Sequence, residues 1–294
     1  MELQMKINKS ENHHDLKAYN NTDFLHSREA RPIRILSEYL YPEQYFKKHN
    51  VQGTIVFFGS ARTMSMKDYQ AKMTDLKNEF EQATNLQQKD KIAETIKEFK
   101  EREEMSKYYD EGVELSRLLS VWLQENPDTK GTYICTGGGG GMMEAANQGA
   151  ALANLQNIGL NISLPFEQNP NHFVSEDMVF EFHYFFMRKF WFVYLAKALV
   201  AMPGGFGTLD ELFEILTLRQ TRKVTKPLPT VLYGKNYWNK LIDFDYLIKK
   251  GMISQNDLSL FHFSDTPQDA FEFISSEILK NYSPKFQKKD EQDF

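Results

Sequence analysis

The chain has 294 residues, of which 41% are hydrophobic and 26% charged, and a formal net charge of −5. That length allows one large α/β domain or two smaller ones with a sizeable core, while the acidic balance gives no general attraction to nucleic acid or anionic lipid. A single cysteine, Cys135, excludes an internal disulfide and a cysteine zinc cluster, and it fits a reducing, cytoplasmic location.

Residues 1–30 mix Asn, Lys, Glu and His without periodicity and are expected to form a flexible or surface-draped arm. They lack an apolar signal-peptide core. Pro32 then introduces a helical pattern through Ile35, Leu36, Tyr39, Leu40 and Phe46. The first strand is Gly53–Phe58, and it runs into Gly59-Ser60-Ala61-Arg62. A dinucleotide-binding fold would carry Gly-x-Gly-x-x-Gly here, so its absence disfavours ordinary NAD binding.

Residues 67–105 are strongly charged and free of glycine, with sparse apolar points at Leu76, Phe80, Ile92, Ile96 and Phe99. The spacing predicts a helical hairpin inserted into the domain, turning near 85–90. Its role is open between an oligomer contact and a solvated arm. A core-facing helix follows over 108–123. The second strand, Thr132–Thr136, ends in Gly137-Gly138-Gly139-Gly140-Gly141-Met142-Met143-Glu144, which leads into an alanine-rich helix over 143–155. Ordering five glycines costs much backbone entropy. That cost is plausible where backbone amides wrap an anion at a helix start.

Strands are expected over 157–164 and 178–182, with a polar loop over 165–173 between them. A helix over 185–197 carrying Arg188-Lys189 leads to a strand at 199–202. The apolar stretch 178–202 is broken by Arg188, Lys189 and Lys197, which argues against a membrane span. Pro203-Gly204-Gly205-Phe206-Gly207-Thr208-Leu209-Asp210-Glu211 then leads into a helix expected over 212–222. After it come a strand at 228–233, a helix over 237–249, a short strand at 259–263, a helix over 267–281 and a charged tail over 283–294.

This alternation predicts a Rossmann-like, doubly wound parallel α/β sheet of about seven strands flanked by helices, in one domain over 31–282. Ligands of such sheets bind beyond the carboxyl ends of the strands. The segments at Gly59–Arg62, Gly137–Glu144, Arg188–Lys189 and Pro203–Glu211 all follow predicted strands and can meet at one edge. Two glycine loops feeding helix N-termini, with Arg62, Arg188 and Lys189 beside them, suit a phosphorylated ligand. No Walker lysine motif is present. Thr208 is read as either a phosphate donor or an N-cap, and Arg188 as a phosphate fork or a surface salt bridge. Glu211 is either a helix-dipole partner or a group acting on the ligand beside the phosphate.

The Pro203–Glu211 segment resembles the Pro-Gly-Gly-x-Gly-Thr-x-x-Glu signature of the Lonely Guy (LOG) family of nucleoside 5′-monophosphate phosphoribohydrolases, often labelled "lysine decarboxylase-like". The Gly137–Asn147 segment is similar to the family's other glycine motif, Phe58–Arg62 to its first-strand segment and Arg188-Lys189 to its Arg-Lys pair. The resemblance covers about residues 53–233, apart from the charged insertion. It implies cleavage of the N-glycosidic bond of a nucleotide such as AMP, giving free base and ribose 5-phosphate, with no metal or organic cofactor. It also implies Arg188 and Glu211 as the catalytic pair and a homodimer or higher homo-oligomer.

With the resemblance added, substrate contacts are expected from Gly59, Ser60, Arg62, Gly138, Gly139, Gly140, Gly141, Met142, Glu144, Lys189, Pro203, Gly204, Gly205, Gly207 and Thr208. The Glu211 carboxylate is placed to stabilise an oxocarbenium-like ribose or to orient water. Many plant-type members carry Met-His-x-Arg-Lys, whereas Phe185-Phe186-Met187 precedes Arg188 here. That departure bears on cytokinin specificity and favours AMP or another purine monophosphate. A non-catalytic nucleotide carrier is the alternative. Lysine decarboxylation is discounted because no lysine sits in an evident pyridoxal phosphate setting.

Overall fold

A computed structural model describes residues 17–164 and 169–283, which divide in sequence into two compact units at Gln44/Tyr45. Part of the expected arm (1–16), part of the polar loop (165–168) and the tail from 284 lie outside the described residues. In the first unit, α1 (Thr22–His26) is opened by Asn21, whose side chain accepts the Phe24 N–H at 3.0 Å. Arg34 of α2 (Arg31–Lys48) donates to the carbonyls of Leu25 and Ser27 at 2.6 and 2.7 Å, which ties the two helices together.

The second unit is built on a seven-stranded sheet. Its strands are β1 (Gly53–Phe58), β2 (Thr132–Thr136), β3 (Asn157–Ile162), β4 (Val179–Phe182), β5 (Ala196–Ala201), β6 (Thr230–Tyr233) and β7 (His262–Ser264). The spatial order is β4-β3-β2-β1-β5-β6-β7, and the pairings are parallel. The chain winds outward from β1 to β4, then restarts beside β1 with β5 and winds the other way. The reversal between β1 and β5 is the topological switch point, where adjacent loops part and leave a crevice. The fold class predicted from strand-helix alternation is the observed one.

Alternation along β1 sends Ile55 and Phe57 into a core shared with Leu115, Leu119, Ala145, Ala146 and Ile274. These residues come from β1, α5 (Glu103–Glu125), α6 (Met142–Leu152) and α11 (Pro267–Tyr282). Phe58 meets Phe192 of α7 (Phe185–Tyr194) edge to face, with centroids 5.0 Å apart. The charged stretch forms α3 (Met66–Gln82) and α4 (Leu86–Lys100), capped by Ser65 and Asn85 and joined through 83–85. Tyr69 stacks on Phe99 at 5.0 Å between them, giving this mostly polar hairpin an apolar contact.

Several element boundaries differ from expectation, three of them with a visible physical reason. The helix expected to run to 197 ends at Tyr194, where Lys226 Nζ donates to the carbonyls of Val193 and Tyr194 and satisfies its last turn. The alanines of 196–201 belong to a central strand, paired with β1 on one side and β6 on the other. The segment expected as one helix over 237–249 is α9 (Lys235–Leu241) and α10 (Phe244–Lys249), since Asp243 caps a new start by accepting the Tyr246 N–H. The third difference concerns the site: α8 (Phe206–Gln220) begins six residues before the expected 212.

Candidate active site

The early start of α8 changes the meaning of its first residues. Gly205 is the N-cap residue, so Thr208 lies inside the first turn and the N-cap reading of Thr208 is corrected. Thr208 is buried, with its hydroxyl against Gly204: a Cβ built on Gly204 would fall 2.1 Å from Thr208 Oγ1. Glu211 is in the second turn of α8 and only 6% exposed. Helix 3.6-residue periodicity sets Thr208 and Glu211 on the same face, three residues apart.

Three loops that follow β1, β2 and β5 meet through the backbone of Ser60. Its N–H donates to Pro203 O at 3.1 Å, and its carbonyl accepts from Met142 N at 2.9 Å. Gly141 has a φ of +66°, and a Cβ there would fall 2.2 Å from Ser60 O. Only glycine permits this close approach. Gly59 is filled against similarly by Met142, whose side chain is in the core. Gly205 and Gly207 face open space instead, with nothing within 4 Å of an added Cβ. The loops thus contain packing glycines and open glycines.

The structure therefore brings Gly59, Ser60, Gly138 to Met142, Pro203, Gly204 and Thr208 to one edge at the switch point. Within this group, Pro203 and Met142 are buried, and their polar backbone groups are engaged with Ser60. Arg62 is exposed just beyond, its N–H donating to Ser60 Oγ at 3.1 Å. Glu144 sits in the first turn of α6, with one carboxylate oxygen 4.0 Å from His172 Nδ1.

Arg188 joins the β2–α6 glycine loop to the carboxylate. Its Nη2 is 3.4 Å from Glu211 Oε1, and its Nη1 is 3.9 Å from where a Cβ on Gly137 would stand. Phe185 and Phe192 flank the guanidinium, with centroids 5.2 and 5.5 Å away. Arg188 Nε is buried and has no hydrogen-bond partner among the described residues. The surface salt-bridge reading of Arg188 gives way to a partly buried pair.

Lys189 is occupied differently. Its Nζ lies 2.6 Å from Glu214, 2.9 Å from Asp210 and 4.0 Å from Glu211. It also lines a groove of ≈ 550 Å³ between α7 and α8 with Phe186, Phe190, Tyr194 and Glu214. Burial pulls its pKa down, but the hydrogen bonds to Glu214 and Asp210 outweigh that and hold it above its ordinary value.

Burial pushes the Glu211 carboxyl up to about 7; Arg188 and Lys189 oppose the shift, and Glu214 and Asp210 add to it. Burial also lowers the Arg188 pKa, with Glu211 and Asp210 acting the other way. The site thus holds a carboxylate whose charge changes near neutrality beside a cation that keeps its charge. Such a carboxylate can stabilise developing positive charge or handle a proton.

Sequence reasoning missed two groups that hold the loops. Tyr237 donates its hydroxyl to Gly204 O at 2.7 Å, and Asn171 binds the carbonyls of Gly138 and Gly139. Neither lies in a glycine motif, and the sequence carries no signal for either. Among the described residues, no group of three or more His, Cys, Asp and Glu could hold a metal ion, and no helix is long and apolar enough to cross a membrane.

Residues 143–274 match the family model described as "Possible lysine decarboxylase". The chain is 32% identical over 94 residues to the probable cytokinin riboside 5′-monophosphate phosphoribohydrolase LOGL2 of Oryza sativa subsp. japonica, which covers 32% of this chain and 36% of that protein. It is 28% identical over 187 residues to the probable enzyme LOGL6 of the same organism, covering 62% of this chain and 67% of the other. Among solved structures, the molybdenum cofactor binding protein from Rippkaea orientalis is 22% identical, with a TM-score of 0.40 over 58% of this chain and 88% of that one.

Proposed function

We propose that the chain, which matches a lysine decarboxylase-like family model over residues 143–274 and is similar to Lonely Guy phosphoribohydrolases, hydrolyses the N-glycosidic bond of a nucleoside 5′-monophosphate, AMP foremost, to free base and ribose 5-phosphate. The observation that carries this reading is the partly buried Arg188–Glu211 pair beside two glycine loops at the switch point. Glycine-loop amides and the N-terminus of α8 favour a phosphate dianion. A phosphate held there leaves the ribose next to the second turn of the helix, where Glu211 stands.

In the reaction, the C1′–N bond breaks as positive charge builds on the ribose ring, and ionised Glu211 stabilises that charge. Water adds its oxygen to C1′, and its proton is balanced by the one the departing base takes up. Arg188 holds Glu211 in place, and its fixed positive charge favours the phosphate bound beside it. Lys189 acts through the carboxylates of α8 in this scheme, because its ammonium is already surrounded by them.

AMP is favoured by Phe185-Phe186-Met187, which stand where plant-type relatives carry Met-His-x before the Arg-Lys pair. A homo-oligomer belongs to the same proposal, and the exposed rings of Phe185, Phe186 and Phe213 offer it an apolar face. Light scattering on the purified protein tests that part. The activity is tested by incubating the protein with a panel of monophosphates and separating free base from nucleotide. Base release from AMP in equal amount with ribose 5-phosphate is the expected result. Binding without release from any monophosphate would replace the enzyme with a nucleotide carrier.

A further inference from the structure

The loop between β2 and α6 is gripped on one side by a single residue outside it. Asn171 Nδ2 donates to Gly138 O at 3.0 Å, to Gly139 O at 2.8 Å and to Asn147 Oδ1 at 3.0 Å. Its backbone N–H adds a further bond to Gly138 O at 2.8 Å. The Asn171 Oδ1 accepts from Phe173 N–H at 3.1 Å, which sets the orientation of the amide.

The far side of this contact is a buried polar chain. Gly138 N–H donates to Thr136 Oγ1 at 2.8 Å, Thr136 donates to Asn147 Oδ1 at 2.7 Å, and Asn147 Nδ2 donates to Asn157 Oδ1 at 2.8 Å. Asn157 in turn donates to Phe173 O at 3.0 Å, closing the chain on the segment that carries Asn171. A fully satisfied network of this kind rigidifies what it holds.

Trans geometry then decides where the loop's donors point. A peptide C=O and the N–H of the next residue lie on opposite sides of the same plane, and no peptide in the described chain is cis. Fixing the carbonyls of Gly138 and Gly139 on Asn171 therefore aims the N–H groups of Gly139 and Gly140 away from it. Among the described residues, the N–H groups of Gly139, Gly140 and Gly141 donate to no protein acceptor. A run of glycines left to itself would spread over many conformations, and the donors would be ordered only at the ligand's expense.

Resting on the phosphate-site reading above, we propose that Asn171 is a positioning residue that pre-orders the β2–α6 amides for the 5′-phosphate of the substrate. It does not touch the reacting atoms. Its loss therefore acts on phosphate affinity and leaves the chemistry at Glu211 and Arg188 in place.

The test compares wild type with Asn171→Ala and Asn171→Ser, the second keeping one donor. Ribose 5-phosphate binding is measured by calorimetry, and KM and kcat are measured on AMP. For Asn171→Ala, ribose 5-phosphate affinity is expected to fall by roughly tenfold or more and KM to rise to match, as loss of hydrogen bonds at a charged ligand predicts, with kcat within about threefold. Asn171→Ser should fall between, and it carries the test if the alanine variant does not fold. Unchanged ribose 5-phosphate affinity overturns the proposal, and so does a fall in kcat with KM unchanged, which a general structural role would give. If wild type binds ribose 5-phosphate but releases base from no monophosphate, the hydrolase reading fails alone, and calorimetry still decides the role of Asn171.

Discussion

Arg188 Nη2 stands 3.4 Å from Glu211 Oε1, with Glu211 buried and Arg188 half-buried, yet the Glu211 pKa is pushed up rather than down. Desolvation outweighs the attraction of the partner, as it does for many buried pairs. A carboxylate held near neutrality by two opposed effects responds strongly to the removal of either one.

The first prediction is kinetic. Glu211→Gln keeps the size of the side chain and removes its charge. It should leave AMP binding within a few-fold and lower kcat by roughly a hundredfold or more, the scale expected when one electrostatic group is lost from a transition state. Base release by the variant at near wild-type rate would remove Glu211 from the mechanism.

The second concerns pH. If the ionised form of Glu211 acts, kcat/KM for AMP should rise with pH through about 7 and level off above it. Arg188→Ala removes the attraction that favours the carboxylate, so the midpoint should move to higher pH, in addition to a loss of both affinity and rate. A profile that falls through the same range would instead assign the proton-bearing form to the chemistry.

Stability gives the third, with the opposite direction. The Glu211 pKa of about 7 in the folded chain lies above the ordinary 4.5. Its contribution is fully present below the unfolded pKa and is lost as pH rises through the folded one. Glutamine cannot ionise and escapes that loss. The melting temperature of Glu211→Gln relative to wild type should therefore increase by several degrees between about pH 5 and pH 8.5, the scale that a few kcal/mol gives in a chain of this size. A constant difference across that range would mean that the carboxyl titrates normally.

The parts legible in the sequence are those with a periodic or compositional signal. Strand-helix alternation gave the parallel sheet, and glycine runs after apolar strands marked the loops that meet at its edge. Segment ends were less visible, because alanines such as Ala196 and Ala198 suit a helix locally and are claimed by β1 through strand pairing. Thr208 was ambiguous for a related reason: the start of α8 is set by the turn at Gly205, not by a polar capping side chain. Asn171 and Tyr237 left no trace at all, since a side chain that binds a distant carbonyl is specified by the folded geometry and by no local pattern.

The last prediction separates the two kinds of glycine in the loops. At Gly141 an alanine would need a φ of +66° and would meet Ser60 O at 2.2 Å, so Gly141→Ala should destabilise the fold by about 1–3 kcal/mol or more. Gly207 lies in α8 with nothing near an added Cβ. Alanine is the better helix former, by about 0.8–1 kcal/mol in a helix interior and less in a first turn, so Gly207→Ala should hold or raise the melting temperature. The new methyl would nevertheless occupy space in front of the α8 N-terminus, where the phosphate is proposed to sit. Ribose 5-phosphate affinity should therefore fall in Gly207→Ala while the fold is intact, as read by calorimetry beside a thermal melt. Unchanged affinity in that variant would place the phosphate away from the start of α8.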